Sequence, residues 1–126
     1  LPLREDVTAR PIENFPDHAF DVCVACDVIE HVEDGDAFLA AMERVARRAV
    51  FFSTPNWNAS RCANPFHFRE YTPAELAALL GTRRCRLWAC GQRGLVPCTP
   101  DDEIVGPDDA SDFGMAFGVF IELSSP

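Results

Sequence analysis

The chain has 126 residues, of which 20 are Asp or Glu and 11 are Lys or Arg, so its formal charge at pH 7 is −9. This acidity argues against nonspecific binding to nucleic acid, because neutralising phosphates requires clustered basic side chains. The length suits a single domain over residues 1–126, and no apolar run approaches the roughly 20 residues that span a bilayer, so we expect a cytoplasmic protein.

Six cysteines occur in the sequence. Cys23 and Cys26 fall within one predicted strand, where residues three apart point to opposite faces and cannot hold one metal ion together. The remaining cysteines, which show no paired C-x-x-C spacing, are Cys62, Cys85, Cys90 and Cys98. We therefore expect reduced, buried or partly buried thiols and no metal site, with a zinc site or a disulfide framework as the alternatives.

The first predicted element is a strand. Residues 1–19 are polar, and three prolines there discourage a regular helix. Residues 20–26 form a near-continuous apolar run, which is typical of a strand covered on both faces. This strand leads into an acidic turn that ends in Glu30 and His31, at the sheet edge where open α/β sheets build ligand sites. A helix is predicted next, over about 36–47, because apolar residues recur there at three- and four-residue intervals.

A second strand and a second helix follow. Residues 49–53 predict the next parallel strand, reached by a crossover through the first helix. Residues 55–71 form a loop too long for a simple connector, and its aromatic residues favour a lid. The Thr-Pro-Ala-Glu sequence at 72–75 is a capping box with proline at the first helical position, so we predict a helix over 73–80 that Gly81 ends.

The C-terminal third predicts two more strands. Residues 84–90 alternate weakly as a strand, and residues 115–123 predict a last strand antiparallel to it. Residues 92–112 combine acidic side chains with prolines and glycines, which indicates a solvated or mobile loop. Calcium binding in this loop is not favoured, because no regular ligand spacing is present. Parallel strands joined by a helix and followed by an antiparallel hairpin predict an α/β fold.

Three segments of the sequence resemble one family. They read FDVCVACDVIEHV at 20–32, STPN at 53–56 and NPFHFREYTPAEL at 64–76. In this order and spacing they resemble the class I S-adenosylmethionine-dependent methyltransferases, especially a bacterial branch that acts on small molecules. The resemblance covers about residues 15–90. An ordered match of this length is far more specific than a single short motif.

The resemblance implies a Rossmann-like methyltransferase sheet and S-adenosylmethionine as the cofactor. None of the seven glycines lies in a G-x-G-x-G array after a strand, which is where the family holds its cofactor. The chain therefore resembles the C-terminal half of such an enzyme, without the first strands and the Gly-rich loop, and ends in an antiparallel hairpin. Missing strands would leave an apolar sheet edge, so we expect a second copy or a partner to cover it.

Within this family resemblance, His31 is the candidate general base. It follows the strand at 20–26, and an imidazole takes up and releases protons near neutral pH. Methyl transfer needs positioned reactants, exclusion of water and, for some acceptors, removal of a proton. The alternative is that His31 only caps the following helix or pairs with Glu30 or Glu33.

The other candidate residues divide between cofactor and acceptor. Those proposed to face the cofactor are Cys26, Asp27 and Glu30, with ordinary roles at the turn and helix start as the alternative. Those proposed to bind the acceptor are Asn56, His67, Arg69 and Tyr71. The alternative role of Asn56 is to form an Asx turn. The alternative role of Arg69 is to form an ion pair with Glu70 or with an acidic helix residue.

Two functions follow from the sequence. The first is methyl transfer from S-adenosylmethionine to the oxygen or nitrogen of a small-molecule acceptor, with no nucleic acid and no membrane as a partner. The alternative is a methyltransferase-like domain without catalysis, which binds or assembles through its exposed sheet edge.

Overall fold

The computed structural model describes residues 8–91, 94–99 and 116–124. They form a five-stranded sheet with the strand order β1-β2-β5-β3-β4. The strands are β1 (Phe20–Cys26), β2 (Ala46–Pro55), β3 (Cys85–Gly91), β4 (Gly94–Cys98) and β5 (Ala116–Glu122). β1 and β2 run parallel, whereas β5 is antiparallel to both β2 and β3, and β4 is antiparallel to β3. The predicted α/β class and the antiparallel pairing of the last strand are confirmed.

The helices begin at the residues that their capping signals indicate. They are α1 (Gly35–Val45), α2 (Trp57–Ser60) and α3 (Pro73–Leu80), with short 3-10 turns at Ile12–Asn14 and Ile29–His31. Asp34, Asn56 and Thr72 precede the three α-helices, and each side chain accepts a hydrogen bond from a backbone N–H in the first turn. No helix within the described ranges has the length and apolar character needed to cross a membrane.

The core lies between the sheet and the helices α1 and α3. Along β2 the buried side chains Val50, Phe52 and Thr54 alternate with more exposed ones, so one face of the sheet points inward. The helices supply the opposing apolar layer of Leu39, Met42, Leu76, Leu79 and Leu80, and β3 and β5 add Leu87, Phe117, Val119 and Ile121. This core fixes the ends of β1 and β2, where the candidate residues lie.

The first strand is less buried than its sequence predicts. Phe20, Val22 and Val24 are 43%, 47% and 59% exposed, so the prediction of a strand covered on both faces is wrong. β1 is the edge strand of the described sheet, and only its inward side chains, such as Ala25, pack under α1. The expectation of an exposed apolar sheet edge is therefore confirmed.

Four further predictions need correction. Helix α1 ends at Val45, and β2 already begins at the next residue. Residues 94–98, predicted as part of a loop, form β4. The rest of that predicted loop, 92–93 and 100–112, lies outside the described residues, and with it most of the segment considered for calcium binding. The predicted loop 55–71 contains α2. Cys26 is exposed, whereas the partly buried thiols expected from the sequence are found at Cys23, Cys62, Cys85, Cys90 and Cys98.

Candidate functional site

The end of β1 presents two exposed residues to solvent, Cys26 and Asp27. Asp27 leaves the strand in a left-handed conformation with φ of 53°, which turns the chain away from the sheet. Its backbone N–H donates to the carbonyl oxygen of Ser53 at 3.1 Å, and its carboxylate accepts from the Ser53 hydroxyl at 3.3 Å. The ends of the parallel strands β1 and β2 are thereby tied together.

Glu30 lies in the 3-10 turn after β1 and is completely buried. Its Oε2 accepts a hydrogen bond from Thr54 Oγ1 at 3.1 Å, while its Oε1 has no hydrogen-bond partner within the described part of the chain. The backbone oxygen of Glu30 accepts from the N–H of Phe68 at 2.8 Å. Contact of this side chain with a cofactor stays a prediction, and its burial shows that it does not face open solvent.

His31 and His67 lie against each other, with ring centroids 4.5 Å apart in an edge-to-face arrangement. His31 Nδ1 is 3.2 Å from the carbonyl oxygen of Phe66, and His67 Nδ1 is 2.5 Å from Glu70 Oε1. Both partners accept hydrogen bonds, so each Nδ1 carries the proton and each Nε2 of a neutral ring is left as an acceptor or ligand. The bond to Phe66 replaces the pairing with Glu30 or Glu33 that the sequence left open.

Glu70 holds the loop that carries His67. Its carboxylate is buried and accepts hydrogen bonds from Ser60 Oγ, from the Cys62 N–H at 3.1 Å and from His67. A buried carboxylate is stable only when such donors surround it. Glu70 is thus engaged within the loop and does not pair with Arg69.

Arg69 forms an ion pair with an acidic residue of α3. This is the helix alternative that the sequence left open for Arg69. Its guanidinium donates to Glu75 at 2.9 Å and lies 4.9 Å from the centroid of the Tyr71 ring. The hydrogen bond that Arg69 donates to Glu75 raises the pKa of Arg69, so the guanidinium stays charged. The pKa of Tyr71 is raised, mainly by burial. The charge of Arg69 lowers this pKa, whereas the carboxylates of Asp36 and Glu75 raise it further.

A cavity of about 380 Å³ opens beside Arg69 and Tyr71. Four carboxylate residues line it, namely Glu33, Asp34, Asp36 and Glu75. Arg69 supplies the positive charge among the lining residues, so the wall of this cavity is predominantly acidic.

Asn56 has a local structural task. It is buried, and its Oδ1 accepts from the N–H of Asn58 at 3.1 Å, which caps α2. Its backbone pairs with that of Tyr71, and the N–H of Trp57 donates to the Tyr71 carbonyl oxygen at 2.9 Å. The loop therefore returns to the end of β2. An acceptor-binding role for Asn56 stays a prediction.

The structure divides the candidate residues into groups. Glu30, His31 and His67 lie together, each offering one ligand atom within 4.8 Å of the others. Arg69 and Tyr71 line the acidic cavity, and Cys26 and Asp27 stand at the exposed end of β1. The sequence patterns do not indicate Thr54 or Phe66 as site residues. Thr54 follows Val50 and Phe52 at two-residue intervals, so the alternation of a strand places its hydroxyl on the same inward face.

The residues at the end of β1 fit one side of the expected cofactor. An exposed carboxylate at Asp27 suits a sulfonium cation, and the backbone after Cys26 is open to a ligand. The donor set of the described residues contains no Gly-rich loop between a strand and a helix, so it forms one wall of a cofactor site and not a closed pocket.

Comparison with known proteins finds similarity to the same family. Residues 3–53 match the model of a methyltransferase domain family. A probable S-adenosylmethionine-dependent methyltransferase from Mycolicibacterium smegmatis is 43% identical over 74 residues, which cover 53% of this chain and 29% of that protein. The chain thus spans less than a third of the curated relative that it matches.

Solved structures share the fold at low sequence identity. A SAM-dependent methyltransferase from Thermotoga maritima, described as a possible histamine N-methyltransferase, superposes with a TM-score of 0.65 at 13% identity, covering 91% of this chain and 62% of that one. A chain of the Pnkp1/Rnl/Hen1 RNA repair complex superposes with a TM-score of 0.52 at 18% identity, covering 88% of this chain and 24% of that one. These findings agree with the resemblance: residues 3–53 are similar to a methyltransferase domain family, and the chain shares its fold with these solved methyltransferase structures.

Proposed function

We propose that the protein transfers a methyl group from S-adenosylmethionine to the oxygen or nitrogen of a small-molecule acceptor. The single observation that carries this proposal is the convergence of two segments that resemble the family. The turn after β1 brings His31 against the loop that contains His67, and both lie near the end of β2. This is the sheet edge where α/β enzymes bind small molecules.

Each side of the site has a proposed task. S-adenosylmethionine, when bound, supplies an electrophilic methyl group. Cys26 and Asp27 face it from the end of β1, and Glu30 contributes to its binding from the turn that follows. His31 takes the acceptor's proton as the methyl group arrives, because its Nε2 is the ring nitrogen left without a proton.

The acceptor side is built from the loop after β2. Asn56, His67, Arg69 and Tyr71 are proposed to position the acceptor. The loop also exposes Phe66 and Phe68 to 78% and 63%, which offers apolar surface to an organic molecule. An acidic cavity beside Arg69 disfavours a polyphosphate and favours an acceptor that carries an amine or hydroxyl.

A substitution of His31 tests the proposed base. In the protein at its full natural length, His31→Ala should lower the turnover number by 10²-fold or more, because general-base catalysis contributes about that factor. Binding of S-adenosylhomocysteine should change little, since His31 acts on the acceptor.

The matched control is His18→Asn. His18 is bonded to the Ala46 carbonyl oxygen at 3.2 Å, away from His31, and Asn tolerates its φ of 55°. An unchanged turnover number in His31→Ala would remove the catalytic role, whereas an equal loss in both variants would point to damaged folding.

A second function is favoured by the exposed first strand. Val22 and Val24 leave an apolar strip at the sheet edge, and such strips pair with other chains. In this alternative the domain assembles through β1 and performs no catalysis. Light scattering of Val24→Lys against the parent chain tests it, and a monomer in both would exclude assembly through this edge. Cytoplasmic location and the absence of a nucleic-acid partner stay predictions from the sequence.

A further inference from the structure

We propose that Glu30, His31 and His67 bind one divalent ion of a first-row transition metal. One ligand atom from each residue lies within 4.8 Å of the others. Ligand atoms that stand about 2.1 Å from one ion in a tetrahedral site are about 3.4 Å apart, so binding requires the ligand atoms to close by up to about 1.4 Å. Side-chain adjustment supplies a movement of this size.

The two histidines are already oriented as metal ligands are. The Nδ1 of His31 is bonded to the Phe66 carbonyl oxygen, and the Nδ1 of His67 is bonded to the Glu70 carboxylate. Metal-bound histidines usually donate their second ring N–H to such an oxygen, which fixes the ring and makes the ligating nitrogen more basic. In each neutral ring the Nε2 atom is therefore the nitrogen that can bind an ion.

The carboxylate of Glu30 provides the independent observation. Its side chain is fully buried, and Oε2 is held by the Thr54 hydroxyl, while Oε1 has no hydrogen-bond partner among the described residues. A buried polar atom without a partner costs free energy, and native structures rarely keep one without a reason. A metal ion bound at Oε1 would satisfy it.

The backbone holds these three ligands in place from two parts of the chain. Glu30 and His31 lie in the turn after β1, and His67 lies in the loop after α2. The N–H of Phe68, next to His67, donates to the Glu30 carbonyl oxygen at 2.8 Å, which joins the two segments directly. Glu70 anchors the loop from its other side. The site is thus preorganised by bonds that do not involve the metal.

The donor set indicates which ions fit. Two imidazoles and one carboxylate suit Mn²⁺, Fe²⁺, Co²⁺, Ni²⁺ or Zn²⁺, whereas Ca²⁺ and Mg²⁺ prefer oxygen ligands alone. Three protein ligands leave coordination positions open for water or for a hydroxyl or amine of a bound molecule. This site departs from the sequence expectation of no metal.

Binding of the ion competes with the proposed proton transfer at His31, but it requires neither the cofactor nor the acceptor. One Nε2 atom cannot hold a metal ion and accept a proton together, so a bound ion takes His31 out of proton transfer. The test therefore uses the metal alone, with no cofactor and no acceptor.

Co²⁺ is the best probe, because its absorption spectrum distinguishes nitrogen and oxygen ligands from thiolates. Binding at the proposed site can therefore be told apart from binding at any of the six cysteines. Titration of the reduced chain with Co²⁺, followed by absorption and calorimetry, should show one ion per chain without thiolate bands. Glu30→Gln and His67→Gln keep the side-chain size and should each weaken binding at least tenfold. His18→Asn, the third histidine, should bind as the parent chain does.

Thermal unfolding supplies a second readout that does not depend on the spectrum. Co²⁺ should raise the midpoint of the parent chain and of His18→Asn but not of the two ligand variants, because a ligand of the folded state stabilises it by mass action. Three results would each overturn the proposal: no binding by the folded parent chain, thiolate bands in the spectrum, or equal affinity in Glu30→Gln and the parent.

Discussion

Replacing Gly35 by Ala should destabilise the protein through a single contact with Tyr71. Gly35 is the first residue of α1, and an added Cβ would lie 2.2 Å from Tyr71 Oη, which is 1.2 Å less than the 3.4 Å where ordinary contact begins. Tyr71 is 3% exposed, and its carbonyl oxygen is bonded to the Trp57 N–H, so its backbone is fixed. Overpacking of this kind costs about 1–3 kcal/mol, against which the better helix propensity of Ala returns up to about 1 kcal/mol. We expect a net loss of about 1–2 kcal/mol.

A double-mutant cycle isolates this contact. In Tyr71→Phe the hydroxyl is gone, and the nearest ring atom, Cζ, stands 3.5 Å from the added Cβ, an ordinary distance. Gly35→Ala should therefore be neutral or slightly stabilising in the Tyr71→Phe background, and the coupling between the two sites should be about 1–3 kcal/mol. Urea unfolding followed by circular dichroism measures all four proteins. Equal effects of Gly35→Ala in both backgrounds would refute the reasoning.

Two more outcomes follow from local contacts. Thr72→Ala removes the hydroxyl that accepts from the Glu75 N–H at 3.2 Å, so urea unfolding should show a loss of about 1 kcal/mol, and no loss would mean that α3 does not depend on its cap. Burial raises the pKa of the Cys23 and Cys85 thiols, whereas Cys26 is exposed, so iodoacetamide at neutral pH should alkylate Cys26 first. Mass spectrometry of peptides after short labelling checks this order, and faster labelling of Cys23 would contradict it.

Elements with strong local signals were predictable. The caps at Asp34 and Thr72 place the starts of α1 and α3 because they depend only on nearby residues. The exposure of β1 was not predictable from its own apolar run, since burial is decided by which strands and helices lie beside it. β4 was missed because Pro97 reads as a loop residue. Proline is accommodated there because β4 is an edge strand, where one side of the backbone needs no ladder bonds.

The candidate site shows the same division. The motifs indicate His31 and His67 separately, but they do not indicate that the two rings meet, because 36 positions separate them and only the fold joins them. The partner of His31 is the Phe66 carbonyl oxygen, a backbone atom that no side-chain pattern reveals. Likewise, Asn56 reads equally well as a cap or as a ligand, and its bond to the Asn58 N–H is evident only in three dimensions.

The most direct test of the proposed methyl transfer is a calorimetric titration of S-adenosylhomocysteine into the protein at its full natural length. We expect binding with a Kd on the order of 1–100 μM, and weaker binding in Asp27→Asn, because Asp27 stands at the exposed end of β1 where the cofactor is proposed to lie. Absence of binding by the folded protein would contradict methyl transfer from S-adenosylmethionine and would favour the alternative of assembly through β1.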